Sequence, residues 1–183
     1  MSKKNDTLMD CTIYLVGARA AGKTTFGRTL AQRLGWRYVD TDVFLKQETE
    51  QSVTEIVARE GWEGFRRHES EALRAASAPG TVVATGGGMV LAEANRRFMR
   101  EHGVVLYLCA PASVLAARLQ ANPNTAQRPT LTGKSIADEV AEVLAAREPL
   151  YRDAATHILD ASASPAALLA EALSLLKSTD GRA

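Results

Sequence analysis

The chain of 183 residues has only two cysteines and three histidines. Cys11 and Cys109 each lie beside or at the end of an apolar run, where a buried free thiol is the common role. The histidines are far apart, and none has zinc-ligand spacing with a cysteine. The sequence therefore excludes a disulfide-stabilised scaffold and offers no structural zinc site.

Net charge and long apolar runs are also nearly absent. A formal net charge of +1 provides no broad basic surface for nucleic acid, so any anion-binding site must be local. No apolar run approaches the roughly 18 residues of a membrane-spanning helix, and the polar start does not resemble a signal peptide. We therefore expect a cytoplasmic, monomeric protein without nucleic-acid or membrane partners.

The chain does contain alternating strand and helix patterns. Short runs rich in β-branched residues recur at 12–16, 37–40, 81–85, 104–108 and 157–160, with helical patterns between them. This alternation predicts an open, parallel five-stranded sheet covered by helices on both faces, a three-layer α/β fold. The length suits one domain spanning residues 1–183, with ligands at the carboxyl ends of the strands.

A glycine-flanked segment ending in Lys-Thr follows the first predicted strand and precedes a helical pattern. This context is typical of a phosphate-binding loop, in which backbone N–H groups and a helix N-terminus face a polyphosphate. Lys23 would reach the outer phosphates, and Thr24 would offer a hydroxyl to Mg²⁺. The predicted ATP-binding residues of this segment are Gly17, Ala18, Arg19, Ala20, Ala21, Gly22, Lys23, Thr24 and Thr25.

Two carboxylates follow the second predicted strand, at the same edge of the sheet. One can hold a Mg²⁺-bound water, and the other can orient an acceptor hydroxyl for in-line attack. Asp40 and Asp42 are the candidates. The alternative is that Asp42 or Thr41 simply caps a helix that begins near Val43.

Three glycines and several arginines complete the candidate site. Gly86, Gly87 and Gly88 follow the third strand, and uncovered backbone there favours close approach of a ligand. Arg147 continues an apolar helical stripe, so its charge calls for an anion. Arg66 could pair with it on a carboxylate, although by itself it also fits an ordinary surface arginine.

The segment 121–134 is rich in turn-forming residues and predicts a lid. Its Arg128 could close over the phosphates during transfer or remain solvated.

These motifs resemble, in order and spacing, those of the shikimate kinase family. The resemblance covers nearly the whole chain and is carried by residues 17–24, 40–42, 64–66, 86–88, 128–129 and 147–151. It is closest to the second-isozyme type of enteric bacteria, through residues 83–88, 108–111 and 127–134.

The resemblance implies transfer of the ATP γ-phosphoryl group to the 3-hydroxyl of shikimate. It implies a nucleoside-monophosphate-kinase-like fold with strand order 2-3-1-4-5, a substrate-binding segment near 43–76 and a lid near 121–134. Asp42 would orient the hydroxyl, and Asp40 would serve Mg²⁺ through water. The other implied contacts are Arg66, Arg147 and the triple glycine for shikimate, Arg118 and 161–165 for adenine, and Arg128 for the phosphates.

The chain departs from the family pattern at Ala20, where glycine is usual. Alanine would cost on the order of 1 kcal/mol if φ is positive there, and our hypothesis is that it is tolerated. Two other functions fit the loop alone: a related kinase for gluconate or a nucleoside monophosphate, and a regulatory module that binds ATP without turnover. The carboxylate and arginine set argues against both.

Overall fold

The structure is a computed structural model that describes residues 10–122 and 131–180. Five parallel strands form one sheet in the order β2-β3-β1-β4-β5, which confirms the predicted order. The strands are β1 Thr12–Val16, β2 Arg37–Asp40, β3 Thr81–Ala84, β4 Gly103–Cys109 and β5 His157–Asp160. The predicted strands differ from these by no more than one residue at an end.

Seven α-helices surround the sheet in the described ranges. They are α1 Lys23–Leu34, α2 Thr41–Thr49, α3 Val53–Ala76, α4 Glu93–His102, α5 Ala112–Ala121, α6 Ile136–Ala154 and α7 Pro165–Asp180. A short 3-10 helix, Met89–Leu91, follows the triple glycine. In those ranges no helix is long and apolar enough to cross a membrane.

The sheet is buried on both faces, as the apolar runs predict. Along β1, Ile13 and Leu15 pack into a core with Leu30 of α1, whereas Tyr14 and Val16 pack into a second core with Tyr151 of α6. β1 lies between β3 and β4, and Leu15 is in register with Ala84 and Leu106. The loops that follow β1 and β3 therefore leave the same edge of the sheet.

Capping residues explain where several helices begin and end. Gly35 ends α1 in the left-handed conformation at φ 70°, as predicted. Ser52 and Glu55 form a complete capping box at the start of α3. Ser135 caps α6 by accepting from the N–H of Asp138 at 3.3 Å, while its hydroxyl donates to the Asp138 carboxylate.

On α7, Leu168, Ala172 and Leu176 are buried in the core, and Leu169 and Leu173 are partly buried against it. The proposed substrate-binding segment 43–76 contains most of α2 and all of α3, and α3 is kinked at Gly61, where φ is 70°. A third apolar cluster, which includes Leu45, Ile56 and Phe65, packs α2 against α3.

Candidate functional site

The predicted phosphate-binding loop connects β1 to α1 at the carboxyl edge of the sheet. The Lys23 ammonium donates to the carbonyl oxygens of Gly17 at 2.6 Å and Ala18 at 2.8 Å. A β-carbon on Gly17 would lie 2.8 Å from the Leu108 carbonyl oxygen, so this glycine is required by close packing. Gly22 precedes α1 with φ at 94°, a conformation that favours glycine. Thr25 is exposed in the first turn of α1.

Ala20 has φ at 67°, which corrects our hypothesis that the loop tolerates alanine without strain. A β-carbon in the left-handed region crowds the following carbonyl and costs roughly 1–2 kcal/mol. The Arg118 guanidinium supports this conformation: it donates to the carbonyls of Ala20 at 3.2 Å and Ala21 at 3.4 Å. Its other nitrogen donates to the Ala161 carbonyl at 2.8 Å. Arg118 therefore links the loop to the segment after β5 that was predicted to contact adenine.

Asp40 caps α2, and this corrects the expected alternative that Asp42 or Thr41 is the cap. Its Oδ1 accepts from the N–H groups of Asp42 at 2.9 Å and Val43 at 3.2 Å. Its Oδ2 accepts from the Thr24 hydroxyl at 3.3 Å, so the two predicted Mg²⁺ residues lie side by side. The helix begins at Thr41, whose hydroxyl accepts from the N–H of Gly86 at 3.2 Å. The Asp42 carboxylate has no part in this cap and lines the cavity described below.

Two of the three consecutive glycines, Gly86 and Gly88, are needed because side chains of the site lie against their backbone. A β-carbon on Gly86 would lie 2.5 Å from Oε1 of Glu69 and 3.0 Å from Oδ1 of Asp42. A β-carbon on Gly88 would overlap the Arg66 guanidinium. The glycines were predicted to admit a ligand; the described contacts show that they admit the carboxylates and the arginine that surround the cavity.

Arg66 is held in place on α3 by three neighbours. Its guanidinium donates to Oε2 of Glu69 at 2.7 Å, and its central carbon lies 5.4 Å and 5.2 Å from the ring centroids of Trp62 and Phe65. Ring faces attract a cation, and the carboxylate forms a charge-assisted hydrogen bond. This excludes the alternative of an ordinary surface arginine.

Glu69 is a site residue that the sequence reasoning missed. Its side chain is buried, with 2% of the residue exposed. Burial raises the pKa of Glu69, while the adjacent Arg66 lowers it and the Asp42 carboxylate raises it further. Helical spacing could have revealed it, since Glu69 lies three residues after Arg66 and therefore on the same side of α3.

Helix α6 forms the opposite wall. Ile136, Val140, Val143 and Leu144 line the cavity with Arg147, as the inward stripe predicted. Tyr151 lies one turn further along and was not predicted as a site residue. Its hydroxyl donates to the Gly87 carbonyl at 2.6 Å, and burial raises its pKa to about 12.

These elements enclose a cavity of about 540 Å³. The predicted site residues on its wall are Ala18, Arg19, Asp42, Arg66, Gly86, Gly87, Gly88 and Arg147. Lys23, Thr24, Asp40 and Arg118 lie on the adjoining phosphate-loop side, by the contacts given above. Arg128 and most of the predicted lid lie outside the described residues.

Comparison with known proteins gives consistent matches over most of the chain. Residues 19–177 match the family model described as shikimate kinase. Shikimate kinase 2 of Syntrophotalea carbinolica is 63% identical over 169 residues, covering 92% of this chain and 98% of that protein. Shikimate kinase 2 of Yersinia enterocolitica is 58% identical over 168 residues, with 92% and 97% covered.

Solved structures agree with these sequence matches. A shikimate kinase of Acinetobacter baumannii in complex with shikimate has a TM-score of 0.84 and 34% identity, covering 92% of this chain and 94% of that one. A gluconokinase of Sinorhizobium meliloti has a TM-score of 0.58 at 17% identity, with 94% and 95% covered. The second match reflects a shared kinase fold alone.

Proposed function

This chain belongs to the shikimate kinase family, and we propose that it transfers the γ-phosphoryl group of ATP to the 3-hydroxyl of shikimate. The products are 3-phosphoshikimate and ADP, within chorismate and aromatic amino-acid biosynthesis. One observation carries the proposal: a single cavity adjoins the phosphate loop and is lined by Asp42, Arg66 and Arg147. The cavity wall offers one carboxylate, which can accept a hydrogen bond from an acceptor hydroxyl. It also offers two guanidinium groups, which can bind the carboxylate of the acceptor.

Asp42 is proposed to orient the acceptor hydroxyl and to accept its proton. Support comes from its place against Gly86 on the wall that the cavity shares with Ala18 and Arg19 of the phosphate loop. A hydroxyl that donates to this carboxylate directs a lone pair towards a phosphorus atom held by the loop. Proton transfer to a positioned side chain contributes typically 10²–10⁴-fold to a rate.

Arg66 and Arg147 are proposed to bind the shikimate carboxylate. The planar guanidinium fork matches a carboxylate and can donate two parallel hydrogen bonds. Glu69 and the rings of Trp62 and Phe65 hold Arg66 in one orientation before the acceptor arrives, which lowers the entropy that binding must overcome.

The loop residues 17–25, which include Lys23, are proposed to bind the phosphates of ATP. The Lys23 ammonium would exchange the carbonyls of Gly17 and Ala18 for phosphate oxygens, which are stronger acceptors for a cation. Arg118, already joined to both the loop and Ala161, is proposed to contact adenine. Arg128 is proposed to neutralise charge that develops during transfer.

Thr24 and Asp40 are proposed to hold Mg²⁺, with Asp40 acting through water. Their hydroxyl and carboxylate oxygens lie 3.3 Å apart. Oxygen is the ligand that Mg²⁺ prefers, and a carboxylate this close to the Thr24 hydroxyl could hold a water of an ion bound there, so the pair fits this ion. Among residues 10–122 and 131–180 no cluster of three His, Cys, Asp or Glu side chains is present. Mg²⁺ needs few protein ligands when phosphates and waters supply the rest. When bound, it neutralises phosphate charge during transfer.

We further propose that one domain spanning residues 1–183 is active as a monomer in the cytoplasm. The acceptor-binding groups all come from one chain, and both cysteines are free thiols. Light scattering at the concentration of the activity assay would measure the oligomeric state.

The function is tested by ADP release with Mg²⁺-ATP across shikimate, quinate, gluconate and nucleoside monophosphates. Selective turnover of shikimate is expected. Turnover of gluconate or a nucleotide in its place would contradict the proposed acceptor. ATP binding without turnover of any acceptor would indicate the regulatory module instead.

A further inference from the structure

The wall that carries Arg147 is joined to the glycine floor by one buried hydrogen bond. Tyr151 lies four residues after Arg147 on α6, so both side chains extend from the same side of the helix. Its hydroxyl donates to the Gly87 carbonyl at 2.6 Å, and 1% of the residue is exposed. A β-carbon on Gly87 would lie 3.7 Å from Nη1 of Arg147, so the arginine and the hydroxyl meet the same glycine.

The tyrosine ring is itself fixed. It stacks on Tyr107 of β4 with centroids 5.1 Å apart and an interplanar angle of 25°. Both rings belong to the core beneath the sheet that also contains Tyr14. Burial raises the pKa of this hydroxyl from 10 to about 12, so it keeps its proton well above neutral pH. The donor therefore has one position and one charge state.

This bond controls a segment with little stiffness of its own. Glycine backbones lack a β-carbon and move easily between conformations. A peptide group is planar and trans, so holding the Gly87 carbonyl also fixes the direction of the Gly88 N–H. Gly88 in turn lies directly against the Arg66 guanidinium. The hydroxyl thus acts on backbone that contacts both arginines proposed to bind the acceptor.

We propose that Tyr151 is a positioning residue for the acceptor: its hydroxyl fixes the Gly87–Gly88 peptide relative to Arg147 and so sets the geometry in which the shikimate carboxylate is bound. This inference rests on the proposed function. It adds a residue that touches neither the reacting hydroxyl nor the phosphates, and it predicts a change in acceptor binding alone.

The test is Tyr151→Phe, which keeps the stacked ring and removes only the hydroxyl, and with it both the bond to the Gly87 carbonyl and the interaction with the Arg147 side chain. The KM for shikimate is expected to rise about five- to tenfold, in line with the loss of one hydrogen bond to a buried carbonyl. The KM for ATP is expected to stay within about twofold. Calorimetric titration of shikimate into the variant should show the same loss of affinity.

Tyr14→Phe is the matched control. Tyr14 is buried in the same core, and its hydroxyl donates to Ser77 at 2.9 Å, away from the cavity. Both variants should lose similar stability on thermal unfolding, but Tyr14→Phe should keep the wild-type KM for shikimate. An unchanged shikimate KM in Tyr151→Phe, or an equal rise in both variants, would overturn the proposal.

A double-mutant cycle separates this role from a general effect on the cavity. If Tyr151 acts through the placement of Arg147, its hydroxyl should matter less once that guanidinium is removed. On an Arg147→Ala background we expect Tyr151→Phe to raise the shikimate KM by clearly less than five- to tenfold, since only the effect through Gly88 and Arg66 would remain. A full five- to tenfold rise on that background would contradict action through Arg147. Failure of the wild type to phosphorylate shikimate would instead refute the proposed function.

Discussion

The phosphate loop is a local motif that Arg118 supports from outside, whereas the acceptor side consists of side chains from three helices. On the loop side, Lys23 is held by neighbouring carbonyls, and residue 20 has a conformation that favours glycine. On the acceptor side, Arg66 is fixed by Glu69, and the floor beneath Arg147 is fixed by Tyr151. A local sequence motif therefore forms most of the loop side, whereas the acceptor side brings together residues of three helices that are far apart in the sequence, with Tyr151 joined to Gly87 across 64 residues.

The difference predicts that substitutions on the two sides separate cleanly in their effects. Loop substitutions should change ATP binding, because the loop meets the acceptor cavity only through Ala18 and Arg19. Acceptor-side substitutions should change shikimate binding or turnover and leave ATP affinity alone. The following variants test this separation, in order of decreasing effect.

Asp42→Asn should have the largest effect. Turnover is expected to fall by about 10²–10⁴-fold, because an amide orients the hydroxyl poorly and cannot accept its proton. Folding should be preserved, since Asp40 and not Asp42 caps α2. Steady-state kinetics with calorimetric ATP binding checks both points. Turnover within tenfold of wild type would remove Asp42 from the mechanism.

Arg147→Ala should raise the KM for shikimate by roughly 10–100-fold, the range for a charge-assisted hydrogen bond worth ~1.5–3 kcal/mol. The KM for ATP should hardly move. Arg147→Lys should recover only part of the loss, because an ammonium lacks the planar fork. An unchanged shikimate KM in the alanine variant would contradict carboxylate binding by this residue.

Glu69→Gln should raise the shikimate KM severalfold, because Arg66 would keep a hydrogen-bond partner of the right shape but lose its charged one. The stability effect depends on pH. Glu69 has a folded-state pKa raised from its ordinary 4.5, so the folded state holds the proton more tightly than the unfolded state.

The wild-type free energy of unfolding should therefore fall, relative to the Glu69→Gln variant, as pH rises above about 4.5 through the raised pKa. Urea unfolding of both proteins across this range measures the difference. A wild-type free energy of unfolding that rises relative to the variant over this pH range would mean that pairing with Arg66 outweighs burial.

Ala20→Gly should have the smallest effect and the opposite sign. Removing the β-carbon at φ 67° should improve ATP affinity by up to about fivefold or raise stability by on the order of 1 kcal/mol. Ala21→Gly is the control, since Ala21 is buried in the core and its φ is not positive, so this change should destabilise. Equal effects of the two changes would argue against strain at residue 20.

The fold and the loop could be predicted because their signals are local. Five β-branched runs and the spacing of Gly17, Gly22 and Lys23 each lie within a few residues of sequence. The conformation of Ala20 was not predictable, because φ depends on how the loop closes between β1 and α1. The role of Asp40 as a cap was missed because Asp40, Thr41 and Asp42 are all good capping residues.

Glu69 and Tyr151 were missed for a different reason. Each lies one helical turn from an arginine that was predicted, but its importance comes from a contact with the backbone that follows β3. Glu69 lies against Gly86, 17 residues away in the sequence, and Tyr151 donates to Gly87, 64 residues away. No local pattern encodes these contacts with the backbone after β3, although the spacing of Glu69 from Arg66 does place both residues on the same side of α3. The triple glycine indicated that some group must lie close to this backbone, but it did not identify that group.

The acceptor side is proposed to recognise a carboxylate through arginines that neighbouring residues hold in place before the acceptor binds. The most direct measurement is the ratio of dissociation constants for shikimate and its carboxamide, in the wild type and in Arg147→Ala. The wild type is expected to prefer the carboxylate by about tenfold or more, and this preference should largely disappear in the variant. An equal preference in both proteins would contradict it.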